Sequence, residues 1–211
     1  MAAADSGKKP APTASGKILD AALTLFVTRG YPSTTVDTIA HEARVAVQTV
    51  YFSFRTKANI LKQLVDINVA ADTPSATSRP AWVTDALAEP DPVRQLEIQV
   101  KATASAYRRS APLLNVLHRA SDTEPAVAEL WRTNQEQRRA LQRQLVTALR
   151  RKGGLSPKMR LGHAVDISYA VLGPELFHLL VTERSWSIAE WERWTLRLLR
   201  HELLNHSTDH N

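Results

Sequence analysis

The sequence predicts an all-α protein in two parts, a small N-terminal three-helix bundle and a larger helical domain behind it. Three observations carry this. Apolar residues recur at three- and four-residue spacing along most of the chain. No segment alternates apolar and polar residues with the period of a strand. Pro, Gly and Ser clusters divide the periodic stretches into helix-sized pieces.

Of the 211 residues, 44% are hydrophobic, enough for the core of one large or two modest domains. There is no cysteine, which removes disulfides, thiol nucleophiles and Cys-based zinc sites and suits a cytoplasmic setting. The formal charge is +6, and through Lys62 eight basic residues face four acidic ones, so +4 of it lies in the first third of the chain. That part is expected to meet an anionic partner.

Residues 1–14 are small, Pro-containing and aperiodic, and read as a disordered arm with Lys8 and Lys9 as a solubilising pair. A first helix over 15–29 carries Ile18, Ala22, Leu25 and Phe26 on one face and ends at Gly30. Thr34 and Thr35 are candidate caps for a second helix over 36–43, with Asp37 in the favourable acidic position. Its Val36, Ile39, Ala40 and Ala43 form one buried stripe. Arg44-Val45 is a turn, and a third helix over residues 46 to 52 directs Val50 and Phe54 back toward the second. Two short helices joined by a narrow turn over shared apolar residues form a helix-turn-helix.

The outer side of that third helix holds Val47, Gln48, Thr49, Phe52 and Ser53, with Tyr51 beside them. Gln bonds an adenine edge, Val touches a thymine methyl, and Thr, Tyr and Ser bond phosphates. Arg55 and Lys57 stand where the next helix begins, and its free N–H groups favour a phosphate. With Thr34, Thr35, Arg44 and Ala46 in the caps and turn, these residues make the expected DNA-contacting set. Double-stranded DNA is the expected partner.

Ala40, Ala43, Val45, Thr49, Tyr51, Phe54, Lys57 and Leu61, after a helix ending in Phe26 and Gly30-Tyr31, resemble the signature of the TetR family of transcriptional repressors. The resemblance covers about the first third of the chain. It implies a homodimer on a near-palindromic operator, a larger domain that binds a small-molecule effector, and the last two helices forming a four-helix bundle across a two-fold axis. Four positions depart from the family pattern: Arg44 replaces the turn Gly, Ala46 the capping Ser, Ser53 a His and Ala58 a Glu. A positive φ at residue 44 would strain a non-Gly residue, and Ala46 lacks a capping oxygen, at a cost of about 1 kcal/mol.

Behind a DNA-binding domain of 15–57, a connecting helix is expected over 58–72. A Pro-rich linker follows over 73–92, with one short turn of helix around Trp82. The helical ligand-binding and dimerisation domain then spans 93–205, with 206–211 as a tail. Within it helices are expected over 92–109, 112–120, 124–152, 157–184 and 187–205. The long one over 124–152 has an inner stripe of Val127, Leu130, Trp131, Leu141, Leu145 and Leu149, interrupted by Asn134 and Arg138. Polar residues at core positions are unfavourable unless paired. They either line a ligand cavity or pair with a neighbouring carboxylate. Trp82, Trp131, Asn134, Arg138 and Phe177 are the candidate effector contacts. Pro174 predicts a kink. Val165, Leu172, Leu176, Leu179, Trp191, Trp194 and Leu198 form surplus apolar surface on the last two helices, the candidate dimer interface.

No enzyme, cofactor or metal is expected. His41-Glu42 has Val45 where a zinc-protease motif needs its second His, and Glu175/His178 is a single copy of a motif that di-iron sites use twice. No membrane partner is expected either. A helical small-molecule-binding or scaffolding protein with a degenerate DNA unit is the alternative, an enzyme a weaker one, and an activator would use the same DNA contacts as a repressor.

Overall fold

The computed structural model describes residues 13–69 and 80–204, with Val69 described by its backbone alone. Most of the arm with Lys8 and Lys9, the junction of connecting helix and linker over 70–79, and the tail lie outside the described residues. Among the described residues the secondary structure is helical without a strand, and Leu155 and Leu204 form one isolated bridge. Two compact units divide after Leu61.

The first unit holds α1 (Ala14–Arg29), α2 (Val36–Ala43), α3 (Val47–Phe54) and the start of α4 (Lys57–Val69). Thr13 opens α1 by accepting a 3.1 Å hydrogen bond from the Gly16 N–H, and Gly30 closes it with φ 82°. Ile18, Ala22 and Phe26 from α1, Ile39 and Ala40 from α2, Val50 and Phe54 from α3, and Ile60 and Leu61 from α4 are all buried. They form one core, each large side chain contributing about 1.5–3 kcal/mol of hydrophobic stabilisation.

The second unit comprises α5 (Ala81–Ala88), α6 (Pro92–Ser121), α7 (Pro125–Arg151), α8 (Leu161–Val171), α9 (Pro174–Phe177) with a π-helical continuation His178–Glu183, and α10 (Ile188–Leu203). Three features differ from expectation. The end of the linker is a helix belonging to this unit: Val83 and Ala86 of α5 are buried. The Lys152 Nζ donates to Ala86 O (3.1 Å) and Gln95 Oε1 (2.7 Å), and Gln95 Nε2 donates to Leu145 O (2.9 Å), tying α5, α6 and α7 together.

Expected helices 92–109 and 112–120 are one helix, α6, which runs through Pro112. Pro112 removes one backbone donor, but its neighbours Ala111, Leu113 and Leu114 are all buried, and this packing holds the helix together. Conversely, the helix expected over 157–184 breaks rather than kinks. It ends at Val171, and Gly173 precedes a new helix with Pro174 at its first position. A Cβ at residue 173 would lie 2.6 Å from Glu175 Oε2, which can swing away, and 3.1 Å from Ala170 O, so a larger residue there would have to push the preceding carbonyl aside by a few tenths of an ångström.

Candidate functional site

In the first unit the helix-turn-helix forms as the sequence pattern requires. Thr35 and Thr38 make a reciprocal capping box at the start of α2, with Thr38 N–H donating to Thr35 Oγ1 at 3.1 Å and Thr35 N–H to Thr38 Oγ1 at 3.0 Å. At its end Arg44 is left-handed (φ 54°, ψ 47°). The Val45 N–H reaches Ala40 O (3.0 Å) and the Arg44 N–H reaches His41 O (3.1 Å). This is a Schellman turn with arginine where glycine is favoured. Ala46 opens α3 without a side-chain cap.

A second strained arginine closes α3. Arg55 has φ 65° and ψ −47°, and the Thr56 N–H donates across it to Phe54 O at 2.7 Å, a γ-turn. Sequence reasoning misses this turn, which has no local composition signal. The recognition helix is thus held between two residues in disfavoured backbone conformations.

Val50 and Phe54 face the core, so Gln48 and Phe52, four residues apart, share the opposite side. Phe52 is 91% exposed and Tyr51 50% exposed. Gln48, Ser53, Arg44, Ala46 and Arg55 are also exposed, while Val47 and Thr49 are half-buried. An aromatic ring left this open in the free protein has no packing role there. Hydrogen-bonding and apolar groups together suit base edges in a major groove.

Two residues expected in the contacting set are turned inward. Thr34 is buried, and its hydroxyl donates to Gly30 O at 2.8 Å. The Lys57 Nζ donates to Tyr31 O (2.8 Å) and Thr34 O (2.9 Å) and lies 4.0 Å from the Tyr31 ring centroid. The lysine thus clasps the turn between α1 and α2 rather than meeting a phosphate, because carbonyls 23 and 26 residues upstream capture its charge.

Residues 18–64, which include this unit's helix-turn-helix, match the family model described as bacterial regulatory proteins, tetR family. Over that stretch the chain is similar to the tetR family. Solved structures share its fold over nearly the whole chain. NalD, the secondary repressor of the MexAB-OprM multidrug efflux pump in Pseudomonas aeruginosa, superposes with TM-score 0.67 at 21% identity over 92% of this chain and 96% of its own. The fatty acid degradation regulator FadR from Bacillus halodurans gives 0.69 at 18% identity over 97% and 100%. A SmeT–triclosan complex gives 0.70 at 16% identity over 92% and 93%. No curated protein matches the sequence significantly.

The larger unit contains a cavity of about 160 Å³ between α5, α6, α7 and α8. Three expected effector contacts, Trp82, Asn134 and Arg138, line it. Tyr107, Ser110, Leu141, Gln142 and Tyr169 also line it but were not among those contacts.

Arg138 combines both readings of its core position. It lines the cavity, and its Nη2 donates to Tyr169 Oη (3.0 Å) and Glu175 Oε1 (3.2 Å). Its guanidinium carbon lies 4.7 Å from the Tyr169 ring centroid and 5.5 Å from that of Trp131. Arg138 Nε and Nη1, Asn134 Oδ1 and Gln142 Oε1 are buried without a hydrogen-bond partner among the described residues, a pattern that the interior of a folded domain normally avoids. The Tyr107 hydroxyl donates to Leu172 O at 2.8 Å, and burial pushes its pKa up to about 12, so it stays protonated.

Trp131 and Phe177 do not line this cavity. Trp131 stacks on His118 with ring centroids 4.7 Å apart. Phe177 packs against Tyr107 (5.4 Å) and Trp191 (5.1 Å), so it supports a cavity residue from within the core. Helical spacing placed Trp131 on an inner stripe, and Phe177 was chosen as an aromatic; neither signal distinguishes core from cavity.

The candidate dimer surface is also narrower than expected. Val165, Leu172 and Trp191 are buried within the single chain, and Leu172 lines the cavity. They close this unit's own core and leave nothing to a partner. Leu179, 39% exposed, and the half-buried Leu176, Trp194 and Leu198 remain available.

Proposed function

We propose that this chain is a cytoplasmic, homodimeric transcriptional repressor whose two α3 helices enter successive major grooves of a near-palindromic operator, and that a small molecule in the α5–α8 cavity releases it. The observation that carries the DNA part is the outward side of α3, where Gln48 and the 91%-exposed Phe52 stand with no partner among the described residues. Gln48 reads an adenine, Phe52 and Val47 meet thymine methyls, and Thr49, Tyr51, Ser53, Arg44 and Arg55 reach the backbone. Thr35 and Ala46 sit at the helix starts facing phosphates. A two-fold dimer through Leu176, Leu179, Trp194 and Leu198 sets the half-site spacing, about 34–36 Å for one helical turn of DNA.

The effector part is supported by the cavity and its unpartnered polar atoms. Asn134 lines this cavity and also a second one, bounded by Lys62, Val65 and Asp66 of α4. α4 is the helix in which the chain passes from one unit to the other. A molecule touching Asn134 therefore acts one residue away from α4, and it shifts the DNA-binding equilibrium only by its differential affinity for the two states.

A second reading, a small-molecule-binding protein with a degenerate DNA unit, is favoured by the strained Arg44 and the uncapped Ala46. A reporter separates these. With a DNA site selected by the protein placed between promoter and reporter gene, expression should fall when the protein is present. A rise would make it an activator, and no change with any selected site would support the degenerate reading.

A further inference from the structure

We propose that the cavity takes a one-ring aromatic carboxylate, with its ring between Trp82, Tyr107 and Tyr169 and its carboxylate on Arg138. This rests on the reading that the larger unit binds a small molecule, and it specifies the class of that molecule.

Size sets the first limit. An apolar cavity of about 150 Å³ accommodates benzene, so a cavity of about 160 Å³ holds one ring with a short substituent. The walls set the second. Trp82, Tyr107 and Tyr169 present aromatic surface, and Leu114, Leu141 and Leu172 complete an apolar lining.

Polarity sets the third. Arg138 is the one cationic residue among those lining the cavity, and its side chain is 15% exposed. Among the described residues, Tyr169 and Glu175 accept from its Nη2, while Nε and Nη1 are buried donors without a hydrogen bond of good geometry, with the Tyr107 hydroxyl close enough to feel the charge. The aromatic rings of Tyr169 and Trp131 hold the guanidinium in place. A carboxylate supplies the acceptors that these donors lack and forms charge-assisted bonds with them. The Asn134 and Gln142 amides, each with a buried unpartnered atom, offer further donors once turned N for O.

The competing anion is Glu175, 3.2 Å from Arg138. Its side chain is 42% exposed, so solvent screens its hold on the guanidinium. A carboxylate inside the cavity is better shielded and binds the same cation more strongly. A neutral amide of the same shape offers one carbonyl and no charge, and a site built for an ionised partner rejects it.

The test is isothermal titration calorimetry on the full-length protein with benzoate and phenylacetate against benzamide and phenylacetamide. The acids should bind at least tenfold more tightly than their amides. Arg138→Gln should erase that preference. Glu175→Gln should tighten the acids several-fold and leave the amides unchanged, a gain that a misfolded variant does not produce. Equal affinity for acid and amide in the parent protein, a preference surviving Arg138→Gln, or no binding of either acid at millimolar concentration overturns the proposal. Release of selected DNA, measured separately, keeps the two readings apart. Acids that bind but leave DNA bound uphold the ligand class and remove the effector reading. Amides that displace DNA where acids do not uphold the effector reading and remove the ligand class.

Discussion

The recognition face and the cavity are assembled in opposite ways. The face lies on a single helix, α3, and all its candidate base contacts lie within residues 47 to 53. The cavity draws Trp82 from α5, Tyr107 from α6, Asn134 and Arg138 from α7 and Tyr169 from α8. A local site depends on how one helix is held at its ends, whereas a convergent site depends on packing among four helices. Substitutions on the face should alter binding and spare the fold, while substitutions around the cavity should alter both.

Lys57 is the sharpest challenge to that contrast, because it ties the local unit to carbonyls far upstream. Lys57→Met removes two charge-assisted hydrogen bonds and a ring contact. It should destabilise the first unit by about 2–3 kcal/mol, read as a lower denaturation midpoint. An unchanged midpoint with only a shallower salt dependence of DNA binding would return Lys57 to the phosphates.

Gln48→Ala should cost about 1–3 kcal/mol of discrimination at one position per half-site and leave thermal stability alone. Base preference that does not change would remove Gln48 from the reading set. In the larger unit Tyr107→Phe deletes the hydrogen bond to Leu172 O, for an expected loss of about 1–1.5 kcal/mol. Stability equal to the parent would mean that the carbonyl finds another donor.

Two smaller effects concern the ends of the recognition helix. Ala46→Ser supplies the missing cap and should stabilise the first unit by about 1 kcal/mol, with no gain expected if residue 46 cannot turn its hydroxyl to the helix. Arg44→Gly relieves the left-handed conformation and should add about 0.5–1 kcal/mol, net of the entropy that glycine adds to the unfolded chain. A loss instead would show that Arg44 contributes contacts that outweigh its strain.

What the sequence revealed follows the same division. The start of α2 was legible because Thr35 marks it by local chemistry, and the outward set of α3 followed from where Val50 and Phe54 had to point. The hold of Lys57 on carbonyls 23 and 26 residues away was not legible, because nothing near it in sequence indicates it. The helix through Pro112 was missed for a related reason, since buried neighbours override a local breaker. Asn134 and Arg138 were conspicuous as polar interruptions in an apolar stripe. Their cavity partners Tyr107 and Tyr169 were not, because a tyrosine on an inner face reads equally well as core. Val165, Leu172 and Trp191 looked like spare apolar surface only because helical periodicity does not say which neighbouring helix covers a stripe.

The measurement that bears most directly on the whole account is selection of bound duplexes from a random DNA pool by the full-length protein, followed by affinity for the enriched site against scrambled DNA at fixed salt. The account predicts an inverted repeat, with half-sites centred about one helical turn apart and bound far more tightly than the scrambled control. Weak, salt-sensitive binding without an enriched repeat would contradict it and leave the cavity as the working part of the molecule.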